Sequence, residues 1–421
     1  MPSSATRENN PGQRAHDRPV LLHSLIFLDE GQEVTVGRAD VDGYAILPAE
    51  GAALLHRLEA GLTPAEAAGW YERTYGERID VDDFLDSLDE LGFLRDPGEA
   101  APAARPVRWQ RLGRMMFSAA GGACLASALI ACAIVMLRSP ELVPSYHDLF
   151  FTHSMTVLEV AMIVGQLPLV LLHETAHMLA GRRLGLRTRL SVARRLDYIV
   201  FVTAMDGLVT VPRRQRYVPM LAGMLADLLV LAALIGVADV SRRADGSLSL
   251  ASEVALGFAY LTLLRLAWQF FFYLQTDLYY VLVTALGCVD LQGTARAVLR
   301  DRVDRALRRP VSADHRANPH PRDLAAARWY SWLLPVGWAA SIAILIAGVI
   351  PTTVHIVLTV GDRFVGSGPH GAAGLADSVM FVLLNLAQLA ILAVLIRRER
   401  RPRSPSRGQN LNQGESHAHA Y

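Results

Sequence analysis

Six apolar runs, each long enough to cross a lipid bilayer, constrain the fold of this chain more than any other feature of its sequence. They lie at about 115–137, 155–179, 217–238, 254–274, 332–350 and 379–396. Because a transmembrane helix needs about 20 mostly apolar residues, the runs predict a multi-pass α-helical membrane protein with about six spans. The fourth run continues through 279–286, which predicts a break or a tilt there. The mean hydropathy of +0.26 lies between the values of a soluble domain and a transporter, so a soluble part is also expected.

The placement of arginine predicts the orientation of these spans. The formal net charge is only +1 and says nothing about partners. The arginines cluster at 105–114, 182–216, 296–328 and 397–407, and the alternate loops carry few of them. By the positive-inside rule, the clustered segments and both termini are cytoplasmic, which predicts a protein of the cytoplasmic membrane. The arginine-rich loops lack interleaved aromatics, so no nucleic-acid partner is predicted.

The second apolar run contains the pattern His173-Glu174-Thr175-Ala176-His177. On a helix, positions i and i+4 share one face, so the two histidines can hold one metal ion. Glu174 lies beside them and can act as general base on a water molecule that a catalytic zinc activates. Ionisable groups in a bilayer are costly and need a function or a partner. The alternative is a helix end near the cytoplasm with solvated histidines.

A third protein ligand is needed, because a catalytic zinc usually takes three and leaves the fourth position open. Asp277 is the best candidate, since the fourth apolar run also passes from outside to inside and brings this residue to a similar depth. The sequence therefore predicts a Zn²⁺ site formed by His173, His177 and Asp277. The alternative for Asp277 is a helix cap or a residue that faces water at the membrane surface.

The segment 20–96 predicts a small soluble domain. Short apolar or alternating runs at 21–28, 33–37 and 44–47 indicate strands, and three helices follow them. The second helix opens with Thr63-Pro64-Ala65-Glu66, a capping box. The remaining boundaries are a disordered N-terminus at 1–19, a linker at 97–111 rich in Ala and Pro, a transmembrane domain at 112–396 and a disordered basic tail at 397–421.

This succession of strands and helices, with the runs LLHRLEAGLTPAEAAGWYERTYG and FLDSLDELGFL, resembles the PqqD-like winged-helix domain. In peptide-modifying enzymes that domain holds the leader of a ribosomally made precursor peptide. The resemblance implies that an extended leader would add as a strand to the edge of its sheet. The alternative is a small cytoplasmic domain that only aids folding or oligomerisation.

The membrane part resembles a peptide zinc metalloprotease of the site-2 protease clan. Members pair His-Glu-x-x-His in one span with Asp in a later Leu-Asp-Gly segment, which in the peptide-protease branch reads approximately Leu-Asp-Gly-Tyr-Tyr. The stretch Thr276-Asp277-Leu278-Tyr279-Tyr280 matches at Asp and both Tyr, with Leu278 where the family has Gly. The stretch Ala222-Gly223-Met224 is similar to the family's Ala-Gly-Pro segment, with Met in place of Pro.

Five other polar residues lie within the apolar runs, and packing is favoured over catalysis for two of them, Asp227 and Arg265. Asp227 and Arg265 are predicted to pair, because an unpaired charge in the membrane is costly. The others are Gln166, Asn385 and Gln388.

The expected function is that of a membrane-embedded zinc metalloendopeptidase with Glu174 as the catalytic base. Its partners would be a peptide or membrane-protein substrate, the lipid bilayer and exporter subunits. Two alternatives remain: a non-hydrolytic peptide-binding, export or immunity protein, and a regulated intramembrane protease that acts on a membrane-bound regulator.

Overall fold

A computed structural model describes residues 18–29, 33–38, 43–96, 106–195, 198–309, 320–344, 346, 350–364 and 371–400 of the chain. The predicted N-terminal segment 1–19 lies outside the described residues except at 18 and 19. The predicted tail at 397–421 lies outside them from 401 onward. The chain forms two compact units: Met1–Arg114 with Met178–Arg189 and Ala204–Arg216, and Met115–His177 with Leu190–Thr203 and Tyr217–Tyr421.

The N-terminal part of the first unit begins with a three-stranded antiparallel sheet. Its strands are β1 (Leu25–Asp29), β2 (Glu33–Arg38) and β3 (Tyr44–Pro48), in the order β1-β2-β3. The strand predicted at 21–28 begins later, because Leu22 instead forms an isolated antiparallel bridge with Leu94. This bridge joins the two ends of the small domain.

Three helices follow the sheet, as predicted: α1 (Ala49–Glu59), α2 (Pro64–Tyr75) and α3 (Val81–Glu90). The capping box of α2 is complete, since Thr63 Oγ1 accepts from Glu66 N at 3.3 Å and Glu66 Oε2 accepts from Thr63 N at 3.0 Å. The apolar faces of sheet and helices enclose one core, whose buried members are Leu25, Val36, Leu54, Leu55, Leu58, Ala67, Tyr71, Leu88 and Phe93. The small α+β domain predicted from the sequence is confirmed.

Five helices of the described chain are long and apolar enough to cross a membrane: α5 (Ala119–Arg138), α6 (Met155–Arg183), α7 (Arg213–Val240), α8 (Leu250–Trp268) and the first part of α13 (Gly371–Arg400). The helix α13 continues beyond residue 397, where the tail was predicted to begin. The helices α9 (Asp277–Leu286) and α10 (Leu291–Ala306) are apolar enough together to form a sixth crossing, but they meet at an angle of 87°. They count as a crossing only if this bent pair is one broken span. The multi-pass helical fold is therefore confirmed. The fourth apolar run breaks between the end of α8 at Trp268 and the start of α9 at Asp277, as predicted.

The fifth predicted span, at 332–350, differs from the other five. It falls on α11 (Pro321–Ile344), which is not among the apolar helices above. Its first turns carry Arg322, Asp323 and Arg328, and positions 345 and 347–349 lie outside the described residues. The helix α12 (Ile350–Phe364) follows.

Two further parts of the described chain precede or follow the helix α6. The helix α4 (Gln110–Met116) begins within the predicted linker at 97–111. A two-stranded hairpin of β4 (Arg187–Arg195) and β5 (Tyr198–Asp206) connects α6 to α7. The sequence did not predict this hairpin, because its first strand is rich in arginine and reads as a solvated loop. It positions one of the site residues described below.

Candidate metal centre

The helix α6 brings the two histidines of the motif together. His173 and His177 lie one turn apart, and both are buried, with 6% and 5% of their surface exposed. Their Nε2 atoms are 3.2 Å from each other. The predicted helical spacing therefore produces a pair of imidazoles whose Nε2 atoms point at a common position.

Asp277 completes the group from the first residue of α9. Its Oδ2 atom lies 3.3 Å from Nε2 of His173 and 3.3 Å from Nε2 of His177. The backbone N–H of Asp277 donates to Oε1 of Gln269 at 3.0 Å, which fixes the start of α9. Asp277 Oδ2 is shielded from solvent and accepts no hydrogen bond within the described part of the chain. The structure thus brings together the three predicted metal ligands.

The hydrogen bond that Nδ1 of each histidine makes determines whether its Nε2 carries a proton or a lone pair. His177 Nδ1 lies 2.7 Å from the carbonyl oxygen of Pro219, which can only accept, so Nδ1 carries the proton. His173 Nδ1 lies 2.9 Å from Oδ2 of Asp227, a carboxylate that likewise accepts. A neutral ring with its proton on Nδ1 has a lone pair on Nε2. Three acceptor atoms then face one another without a donor between them, and this buried His-His-Asp group can bind a metal ion.

Gly223 of α7 forms one wall of this site. A Cβ atom at this position would lie 2.3 Å from His177 Nε2 and 2.4 Å from His173 Nε2, which is closer than atoms can approach. The backbone of α7 therefore lies directly against the position where the three ligands converge. This contact gives a physical reason for a glycine in the stretch Ala222-Gly223-Met224.

A buried charge network lies behind His173. Arg265 of α8 donates to Asp227 through Nε at 3.0 Å and through Nη2 at 2.6 Å, so the predicted pairing is confirmed. Arg265 Nη1 also donates to Gln166 Oε1 at 3.0 Å. The contact of Asp227 with His173 was not predicted from the sequence, where Asp227 and Arg265 were expected only to pack. One signal was present, since Asp227 follows Gly223 by four residues and shares its face of α7.

Glu174 lies on α6 beside the ligands and is held by the hairpin. The hydroxyl of Thr203 on β5 lies 2.8 Å from Glu174 Oε2 and 3.0 Å from the backbone oxygen of Glu174. Thr203 is buried, with 3% of its surface exposed. Thr203 was not predicted from the sequence, and no local pattern marks it. The hydroxyl restrains one carboxylate oxygen of Glu174 and leaves the other for a second partner.

Two other polar residues of the spans, Asn385 and Gln388, contact Glu159. Asn385 Nδ2 and Gln388 Nε2 on α13 donate to the carboxylate of Glu159 on α6, at 3.2 Å and 2.6 Å.

Comparison with protein-family models, with curated proteins and with solved structures found no match to this chain. The geometry of the site is therefore the basis for assigning a function.

Proposed function

We propose that this chain is a membrane-embedded zinc metalloendopeptidase that hydrolyses a peptide bond at or within the bilayer of the cytoplasmic membrane. The observation that carries the proposal is the triangle formed by His173 Nε2, His177 Nε2 and Asp277 Oδ2, with separations of 3.2–3.3 Å. Ligands about 2.0–2.1 Å from a tetrahedral zinc are separated by ~3.3 Å. Two imidazoles and one carboxylate are also a common zinc ligand set with a fourth position left open.

The chemistry follows from the groups around that triangle. Zinc would supply Lewis acidity to a water molecule and to the substrate carbonyl. Glu174 accepts a proton from the water molecule as the water oxygen attacks the carbonyl carbon of the substrate. Glu174 then gives that proton to the amine nitrogen as the C–N bond breaks. Thr203 holds Oε2 of Glu174, so Oε1 is available to the water. Asp227 and the carbonyl of Pro219 keep Nε2 of both histidines free of protons.

The N-terminal domain supports a peptide as the substrate. Its sheet has two edge strands, β1 and β3, and an extended peptide can pair with such an edge through main-chain hydrogen bonds. We propose that the leader of a ribosomally made precursor peptide binds there, as the resemblance to PqqD-like domains implies. Exporter subunits would be the further partners, with both termini of the chain in the cytoplasm.

The deciding experiment uses the full-length protein purified in detergent. It is incubated with the precursor peptide encoded by a neighbouring gene, and the products are identified by mass spectrometry. We expect cleavage at one bond by the wild type, and no cleavage by Glu174→Gln, which retains zinc because Glu174 is not a ligand. Cleavage by Glu174→Gln at the wild-type rate would remove Glu174 as the base.

The same assay, run also with a membrane-bound regulator as a candidate substrate, separates the alternative functions. A wild-type protein that binds zinc and peptide without cleaving it would be a non-hydrolytic binding, export or immunity protein. Cleavage of a membrane-bound regulator, but not of the precursor, would identify a regulated intramembrane protease.

A further inference from the structure

A groove of about 480 Å³ lies between α10 and α11, outside the metal centre. Its walls are mainly apolar, and they include Leu299 of α10 and Leu334, Trp338 and Ile342 of α11. The volume falls within the range of about 300–1,000 Å³ that is common for small-molecule sites. The groove therefore offers room and apolar surface for a hydrocarbon group.

Arg296 is the one charged residue that lines this groove. Its side chain is exposed, and within the described part of the chain it forms no ion pair. An exposed guanidinium next to an apolar slot fits a ligand that has an anionic group attached to a hydrocarbon chain, since arginine pairs well with phosphate. A free phosphate ion would use the cation but not the apolar walls.

The surroundings of the groove identify the source of such a ligand. Trp329, Trp332 and Trp338 on α11 are 46%, 59% and 53% exposed. Exposed tryptophans are enriched where a membrane meets water, because one part of the ring is apolar and the other carries an N–H donor. Arg302 lies over the ring of Trp332, 5.0 Å from its centre. Basic pockets between membrane helices bind lipid headgroups at this boundary between membrane and water.

We propose that the groove binds one anionic phospholipid, with its phosphate on Arg296 and an acyl chain along Leu334, Trp338 and Ile342. This proposal rests on the membrane location of the chain and not on its catalytic activity. It goes beyond the proposed peptidase function, because it assigns a lipid ligand to a second site.

The groove is close in sequence and in structure to the segment that carries Asp277. Tyr273 lines the groove, and its backbone oxygen accepts from Gln292 Nε2 at 3.1 Å. Its ring packs against Gly337 of α11, where a Cβ atom would lie 2.2 Å away. Any test must therefore separate loss of lipid from damage to the metal centre, which a measurement of zinc content does.

The test uses the full-length protein in detergent with equal amounts of phosphatidylglycerol and phosphatidylcholine, and native mass spectrometry to count the retained lipids. We expect one phosphatidylglycerol per chain in the wild type. Arg296→Gln should weaken its retention by about tenfold or more, because a hydrogen bond to a charged group is lost. Ala339→Phe, which fills the groove, should have the same effect.

Arg305→Gln is the matched control, since Arg305 is an exposed arginine nine residues further along α10, on the opposite face. It should retain phosphatidylglycerol, and all variants should keep the zinc content of the wild type. Equal retention of phosphatidylglycerol by Arg296→Gln and the wild type would overturn the proposal. So would equal losses in Arg296→Gln and Arg305→Gln, or tight binding of soluble glycerol 3-phosphate. Glu174→Gln should retain the lipid. Failure of the peptidase proposal can therefore be distinguished from failure of the lipid proposal.

Discussion

His173 donates from Nδ1 to Asp227, a residue 54 positions further along the chain, at 2.9 Å within the membrane helices. Asp227 is fully buried, and Arg265 pairs with its carboxylate. An isolated carboxylate in this environment would be costly. Arg265 therefore allows a negative charge to orient His173.

Asp227→Asn should lower zinc affinity by about 10- to 100-fold, the usual effect of removing a carboxylate that orients a histidine ligand. Zinc affinity is measured by competition with a chelator on the purified full-length protein. Asp245→Asn, a change in an exposed loop, is the control and should have no effect. Unchanged affinity in Asp227→Asn would show that the hydrogen bond does not support metal binding.

Removing a ligand should also weaken zinc binding. His173→Ala and Asp277→Ala should each lose at least about tenfold in zinc affinity, because one of three protein ligands is gone. Metal content per chain is measured after dialysis, and His147→Ala, an exposed histidine in the short 3-10 helix Tyr146–Phe150 before α6, serves as the control. Stoichiometric zinc in Asp277→Ala would exclude Asp277 from the site.

Gly223→Ala should abolish zinc binding, because the added methyl group would occupy the space next to the Nε2 atoms of His173 and His177. Gly236→Ala on the same helix is the matched control, since a Cβ atom there has no neighbour within 4 Å. Both substitutions favour the helix equally. The prediction fails if the two variants retain the same amount of zinc.

Thr203→Val removes the hydroxyl that holds Glu174 and nearly preserves the side-chain shape. We expect a lower kcat by about tenfold or more, from a misplaced general base, with unchanged zinc content. Steady-state cleavage rates and metal analysis check this. An unchanged kcat would mean that Glu174 needs no support from β5.

The capping box predicts a pH dependence in the N-terminal domain. Hydrogen bonds from the backbone and the side chain of Thr63 lower the pKa of Glu66 below its ordinary value of 4.5. A lowered folded-state pKa stabilises the domain above pH 4.5, and this contribution is lost as pH falls through the folded pKa. Thr63→Ala should destabilise α2 by about 1 kcal/mol near pH 7, with a smaller effect once the pH falls below the folded-state pKa of Glu66. Amide hydrogen exchange of α2 in the full-length protein measures the destabilisation at both pH values. A Thr63→Ala effect that is equal at the two pH values would exclude the carboxylate from the cap.

The parts of this protein that could be predicted from the sequence are those that depend on local spacing. The pair His173 and His177 follows from the helical repeat, and Asp277 was predicted from the direction in which its span is expected to cross the membrane. The contact of Asp227 with His173 depends on how α6 and α7 pack, which hydrophobic periodicity does not specify. Thr203 could not be predicted, because it lies on a hairpin within an arginine-rich segment. The position of Gly223 against the imidazoles likewise required the packed helices.

The shortness of α9 has a consequence for the bilayer around the protein. Its 10 residues extend over about 15 Å, half of the ~30 Å hydrocarbon thickness. Asp277 is at one end of this half-span, and the 87° turn into α10 is near the other. Full-length helices adapt to a thicker membrane by tilting, and a half-span has less length with which to do so. A mismatch between α9 and the bilayer would therefore shift the depth of Asp277 relative to the histidines of α6. The alignment of the three metal ligands would then depend on membrane thickness.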